Sequence, residues 1–94
     1  MILQMIKLKT NLSEAELLRR AHERAPRFKA TPGLLQKYYI KIDVNHYGGV
    51  YVWDSPESLQ AHRDSDLAKS IPDAYEIVEA PSIELMNILF QLRS

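Results

Sequence analysis

The sequence predicts an α+β domain in which two helices cover one face of a four-stranded antiparallel sheet, in the order strand, helix, strand, strand, helix, strand. Three observations predict it. Two runs rich in Tyr, Ile, Val and Trp flank the polar segment Val44-Asn45-His46-Tyr47-Gly48-Gly49, the pattern of a β-hairpin with a longer loop. An amphipathic segment with a helix-start signal precedes this hairpin, and a second start signal, Ser55-Pro56, follows it. Short apolar runs stand near both ends of the chain.

Residues 2–9 are mostly apolar with a β-branched bias and are read as the first strand. Ser13 and Glu16 have the spacing of a capping box, so a helix begins at Glu14. Leu17, Leu18, Ala21, Ala25 and Phe28 recur at helical spacing, while Arg19, Arg20, Glu23, Arg24 and Arg27 fall mostly on other faces. Pro26 removes a backbone donor and crowds the preceding turn, which predicts a kink or an early end near Ala25. Thr31-Pro32-Gly33 closes the segment and releases the chain into the hairpin over 34–55. A second helix runs from residue 56 to about 70, with Leu59, Ala61, Leu67 and Ala68 as a thin apolar stripe that leaves part of a face to a pocket. Ile71-Pro72-Asp73 stops it, residues 74–80 connect without an assigned state, and residues 82–92 close the chain as a strand. The order is that of the ferredoxin-like, split βαβ fold.

Ninety-four residues suit a single domain over 1–94. The absence of cysteine excludes a disulfide framework, a thiolate nucleophile and a Cys-based zinc or iron-sulfur site. Twelve basic and twelve acidic side chains cancel without a basic block, so no nucleic-acid partner is expected. The run over 2–8 is interrupted by Gln4 and Lys7, lacks the build of a signal peptide and is too short to span a membrane. The expectation is a cytoplasmic protein with no membrane partner. Gly48-Gly49 precede a strand rather than a helix and make no phosphate loop, and no Gly-x-Ser-x-Gly elbow occurs.

A sheet with helices on one side only should alternate apolar and polar residues. These strands do not. Ile2, Ile6 and Leu8 oppose Leu3 and Met5; Val50 and Val52 oppose Tyr51 and Trp53; Ile83, Leu85 and Leu89 oppose Met86, Ile88, Phe90 and Leu92. Two helices cannot cover both faces, so a homodimer is expected, its sheets packed face to face or closed into one barrel with the helices outside.

The segments Pro32-Gly33-Leu34-Leu35-Gln36-Lys37-Tyr38-Tyr39, Gly48-Gly49-Val50-Tyr51-Val52-Trp53-Asp54-Ser55 and Ala68-Lys69-Ser70-Ile71-Pro72 resemble those of the YdhR-type monooxygenases. That family belongs to the dimeric α/β-barrel group that includes the antibiotic-biosynthesis monooxygenases. The resemblance covers nearly the whole chain in element order and is most specific from Gly33 to Ser55. It implies the dimeric α/β barrel independently of the face argument. Relatives include cofactor-free oxygenases acting on polycyclic phenols, haem-degrading enzymes, isomerases and decarboxylases. The haem degraders carry an axial histidine late in the second helix; here Lys69-Ser70-Ile71-Pro72 has none, which counts against that role.

The site candidates follow one by one. His62 shares a helical face with Leu59 and Asp66, which suits a general base at the lip of a cleft between helix and sheet, oriented by Asp66; the alternative is a half-exposed surface histidine. His22 sits at the edge of the first helix's apolar stripe and is either a pocket residue or a boundary of the core. His46 reads as a turn residue, and three histidines on separate elements give no metal-ligand spacing, so no metal is expected. Tyr38 and Tyr39 are strand neighbours and point to opposite faces, as do Val52 and Trp53. One of the tyrosines, with Tyr51 and Trp53, is a candidate to orient a flat substrate, or all are core and interface filling. Arg63 and Lys37 are candidates to attract an anion, with solvated charge as the simpler reading of each. The functional expectation is a monooxygenase that needs no cofactor and oxidises a small aromatic molecule, a polycyclic phenol or anthrone, with O2. His62 is the base and Trp53 orients the ring. The alternatives are a non-catalytic small-molecule-binding dimer and a non-oxidative isomerase or decarboxylase.

Overall fold

A computed structural model describes residues 1–93. Strand β1 (Ile2–Lys9) lies inside the sheet, paired antiparallel with β3 (His46–Trp53) on one side and β4 (Ser82–Asn87) on the other. Strand β2 (Leu34–Asp43) adds to the outer side of β3, giving the order β2-β3-β1-β4 expected of a ferredoxin-like sheet. Strand parity sorts the side chains. Gln4, Ile6 and Leu8 of β1 and Tyr47, Tyr51 and Trp53 of β3 are buried on one face. There they meet Leu17, Ala21 and Phe28 of α1 (Glu14–Lys29) and, from the second helical region, Leu59, Leu67 and Ile71. The opposite face carries Leu3, Met5, Tyr38, Val50, Val52 and Met86, and among the described residues no helix lies over it; Tyr38 is 56% exposed.

Helix α1 starts at Glu14, with Ser13 Oγ accepting from the Glu16 amide at 3.2 Å. Of the kink or early end expected near Ala25, the early end is not found. The helix continues through Pro26 to Lys29, because buried Phe28 anchors the last turn against Tyr51 and His62. The hairpin reversal is also tighter than expected. Asp43 pairs with His46 across Val44-Asn45, Asn45 adopts φ 72°, and Gly48 and Gly49 are strand residues. An Asn tolerates that left-handed conformation, so the turn needs no glycine.

The expected second helix over 56–70 is two short pieces, α2 (Pro56–Arg63) and α3 (Asp66–Lys69), and Ile71-Pro72-Asp73, expected to stop it, instead opens a further helical turn, α4 (Ile71–Ala74). Ser65 makes the break, its hydroxyl donating to the His62 carbonyl and accepting from the Ala68 amide. Segment 74–80 is tied to β1: buried Thr10 donates to the Tyr75 carbonyl at 2.7 Å and pairs with Ile77 as a single bridge. The last strand ends at Asn87, short of the expected residue 92; Leu89, Phe90 and Leu92 follow it 92%, 76% and 85% exposed. Among the described residues no helix is long and apolar enough to cross a membrane.

Candidate functional site

The chemistry-bearing residues gather on the helix-covered face. Tyr51 and Trp53, two apart on β3, lie on that face with stacked rings, 6.1 Å between centroids and 6° between planes. Phe28 reaches them from α1 and His62 from α2. The His62 imidazole lies 5.0 Å from Trp53, 5.8 Å from Phe28 and 6.0 Å from Tyr51, centroid to centroid. It is 4% exposed, and neither ring nitrogen has a hydrogen-bond partner among the described residues. Burial, and then the charge of Lys37, hold its pKa below the usual histidine value, so the ring is a neutral acceptor at neutral pH. Asp66 does not orient it, contrary to expectation: α2 ends at Arg63 with Asp64 as its cap, Ser65 caps the start of α3 and Asp66 opens it, leaving ring packing to fix the imidazole.

Trp53 is fully buried, and its indole Nε1 donates to Gln4 Oε1 at 2.9 Å. Gln4 in turn lines a cleft of about 250 Å³ between sheet and helices, with Ile6 and Ile83 on the sheet side and His62, Arg63 and Ile71 on the helix side. Arg63 is exposed at this cleft.

Lys37 shares Phe28 and Tyr51 as ring neighbours with His62. Register pairs it with Tyr51, and Gly49 leaves room for its stem: a Cβ there would come within 3.4 Å of Lys37 Cε and 2.9 Å of Tyr51 Cε1. Its Nζ stands 3.4 Å from the Phe28 ring centroid, 4.3 Å from Tyr39 and 4.5 Å from Tyr51. No carboxylate lies within ion-pair distance among the described residues. Burial, and then the positive charge of Arg24, pull its pKa down to about 7. The expectation of a simple solvated charge at Lys37 is therefore overturned. Burial also pushes the Tyr39 hydroxyl up to about 12 and that of Tyr51 higher, so both stay protonated.

A small cavity of about 30 Å³, room for about one water, separates Lys37, Tyr39 and Tyr51 from Tyr47 and Tyr75. The Tyr75 hydroxyl is buried, with no hydrogen-bond partner among the described residues. Arg24 spans the helices behind it, donating to Ser70 Oγ and the Leu67 carbonyl, both at 3.1 Å, with its guanidinium 5.7 Å from the Tyr75 ring.

The structure thus brings together His62, Trp53 and Tyr51, sets Arg63 at the edge of the cleft, and leaves Tyr39 apart from them beside Lys37, 41% exposed. It places Tyr38 on the open sheet face opposite Val50, and His22 on the exposed side of α1. Gln4 and Tyr75 escape sequence reasoning, and Lys37, named there as a possible attractor of an anion, was not expected to lie among rings. Lys37 had one legible signal: it is in phase with Tyr39 on the strand face that packs inward. Among the described residues no group of His, Asp and Glu is placed to hold a metal ion.

No family model matches the sequence, and no curated protein does. Solved structures do. A candidate antibiotic biosynthesis monooxygenase from Caulobacter crescentus superposes with a TM-score of 0.78 at 22% identity, over 95% of this chain and 90% of that one. SnoaB, a cofactor-independent oxygenase from Streptomyces nogalater, superposes with a TM-score of 0.77 at 14% identity, over 99% and 97%. A protein of unknown function from Nitrosomonas europaea gives 0.80 at 19% identity, over 96% and 90%. At these identities the likeness is one of architecture: this chain has the fold of the antibiotic-biosynthesis-monooxygenase-like proteins.

Proposed function

We propose that this protein is a monooxygenase that needs no cofactor, oxidises a small aromatic molecule with O2 and works as a homodimer. The observation that carries the reading is His62: a neutral imidazole with both nitrogens unpartnered among the described residues, enclosed by the rings of Phe28, Tyr51 and Trp53 beside a cleft of about 250 Å³. A buried polar group left without a partner costs stability and marks a place where a ligand completes the hydrogen bonding. The resemblance of the hairpin to YdhR-type monooxygenases and the shared fold with SnoaB support the same reading.

In this mechanism the substrate lies in the cleft and His62 takes a proton from its activated methylene or hydroxyl group. The resulting carbanion or phenolate passes one electron to O2, and the radical pair joins as a peroxide on the substrate carbon. That carbon then loses its second proton as the O–O bond breaks, and hydroxide leaves as water. One methylene and one O2 thereby become one carbonyl and one water. The substrate supplies the electrons, and the protein supplies desolvation, orientation and a base. Trp53, fixed by Gln4, is the ring against which the imidazole is positioned, and Arg63 stands where an anionic substituent would enter.

The open face supports the homodimer. Leu3, Met5, Tyr38, Val50, Val52 and Met86 spread apolar surface across all strands, and a second copy of the same sheet covers it by self-complementation. The test of function is oxygen uptake by the metal-stripped protein with polycyclic phenols and anthrones, corrected for autoxidation. Saturable uptake lost in a folded His62→Ala variant supports the oxygenase. Binding without uptake or product moves the assignment to a carrier, and product without uptake moves it to a non-oxidative enzyme.

A further inference from the structure

Lys37 touches no reacting atom in that mechanism, yet its placement is unusual for a cation. Its amine is held against three ring faces, with no acidic partner among the described residues. The inner cavity beside it is too small for anything but a water-sized guest. On its other side lies a groove of about 300 Å³ between β2 and the last turns of α1, at the lower end of the size range of small-molecule sites. Phe28, Lys37 and Tyr39 form one part of this groove, Leu34 and Leu35 give it an apolar wall, and Lys29 lines it from α1. Its lining includes no Asp or Glu.

The chemistry of these walls selects a ligand class. Two lysines and no carboxylate disfavour a cation and favour an anion. A partly desolvated ammonium pairs with an oxyanion more strongly than a fully solvated one does. The faces of Tyr39 and Phe28, with the leucines, favour a flat apolar body behind that oxygen. We infer that this groove binds a small aromatic molecule as its oxyanion, a phenolate or enolate, with the oxygen paired to Lys37 Nζ and the ring lying along Leu35 and Tyr39. The rings of Phe28, Tyr39 and Tyr51 hold the ammonium from behind. Burial keeps the Tyr39 hydroxyl protonated beside it. Lys37 shares Phe28 and Tyr51 as ring neighbours with His62, and binding in the groove does not depend on the oxygenase reading.

The probe is 4-nitrophenol, whose colour reports its own ionisation, with 4-nitroanisole as the un-ionisable match of similar size. Titrations are made at a pH low enough that free 4-nitrophenol is protonated. The wild-type protein is expected to show the phenolate band on binding and about tenfold tighter affinity for 4-nitrophenol than for 4-nitroanisole. Lys37→Met keeps a flexible stem among the rings and is expected to lose that preference while binding 4-nitroanisole as before. Its fold is checked by circular dichroism, and Lys37→Arg, which keeps the charge, is expected to retain part of the preference. Equal affinity for the two probes, binding of neither, or a phenolate band that persists in a folded Lys37→Met variant would each overturn the inference.

Discussion

Gln4 Oε1 accepts a 2.9 Å hydrogen bond from Trp53 Nε1, joining β1 to β3 in a part of the core where Gln4 is 2% exposed and Trp53 not at all. The bond satisfies the indole and holds the ring on which His62 rests at 5.0 Å. Gln4→Leu keeps the volume but orphans the indole N–H, so a loss of about 1–3 kcal/mol is expected. Denaturant unfolding measures it. A change within about 0.5 kcal/mol, the range of an ordinary surface substitution, would show that the bond is not structural.

His62 is pushed below its ordinary pKa by burial and by Lys37, so its basic form persists to lower pH than that of a solvated histidine. If His62 is the base, kcat/KM for oxygen uptake is flat through neutral pH and falls on the acid side, with a midpoint below about 6.5. His62→Ala abolishes that limb together with most of the rate. A midpoint above the ordinary histidine value would exclude His62 as the base.

The Lys37 amine has a folded pKa of about 7 against an ordinary value of 10.5. Below about pH 7 it is protonated in both folded and unfolded chains, and the folded state bears the full cost of burying the charge. Between about 7 and 10.5 the unfolded chain binds more protons than the folded one, so stability rises with pH through that window. Lys37→Met should flatten this rise and be more stable than wild type at pH 6, by on the order of 2 kcal/mol once the ring faces are counted against the desolvation. Parallel stability curves from pH 6 to 10 for the two proteins would contradict it.

Val50 faces Tyr38 and Met5 on the uncovered side of the sheet. Val50→Asp places a charge at the centre of that apolar surface. Light scattering at micromolar concentration should report a dimer for wild type and a monomer for the variant, each with the same far-ultraviolet circular dichroism. A monomeric wild-type protein would remove the self-association.

The sequence by itself determined what local chemistry controls. Capping spacing at Ser13 and Glu16 located the start of α1, proline at the first helical turn located the start of α2 at Pro56, and the apolar run over 2–9 gave β1. Element order then fixed the ferredoxin-like topology, because strand and helix periods differ and few arrangements bury such a set. Local rules failed where distant packing competes. Pro26 did not end α1: the helix runs on to Lys29 and so carries Phe28, two residues later, into the ring cluster. Strand alternation showed that Tyr38 and Tyr39 part company, but only pairing with β3 decided that Tyr39 turns inward. The same pairing carries Lys37 into a cage of rings drawn from α1, β2 and β3, and the packing of α2 leaves His62 buried without a hydrogen-bond partner among the described residues. Desolvation at both positions is a property of neighbours far apart in the chain, which no local pattern encodes.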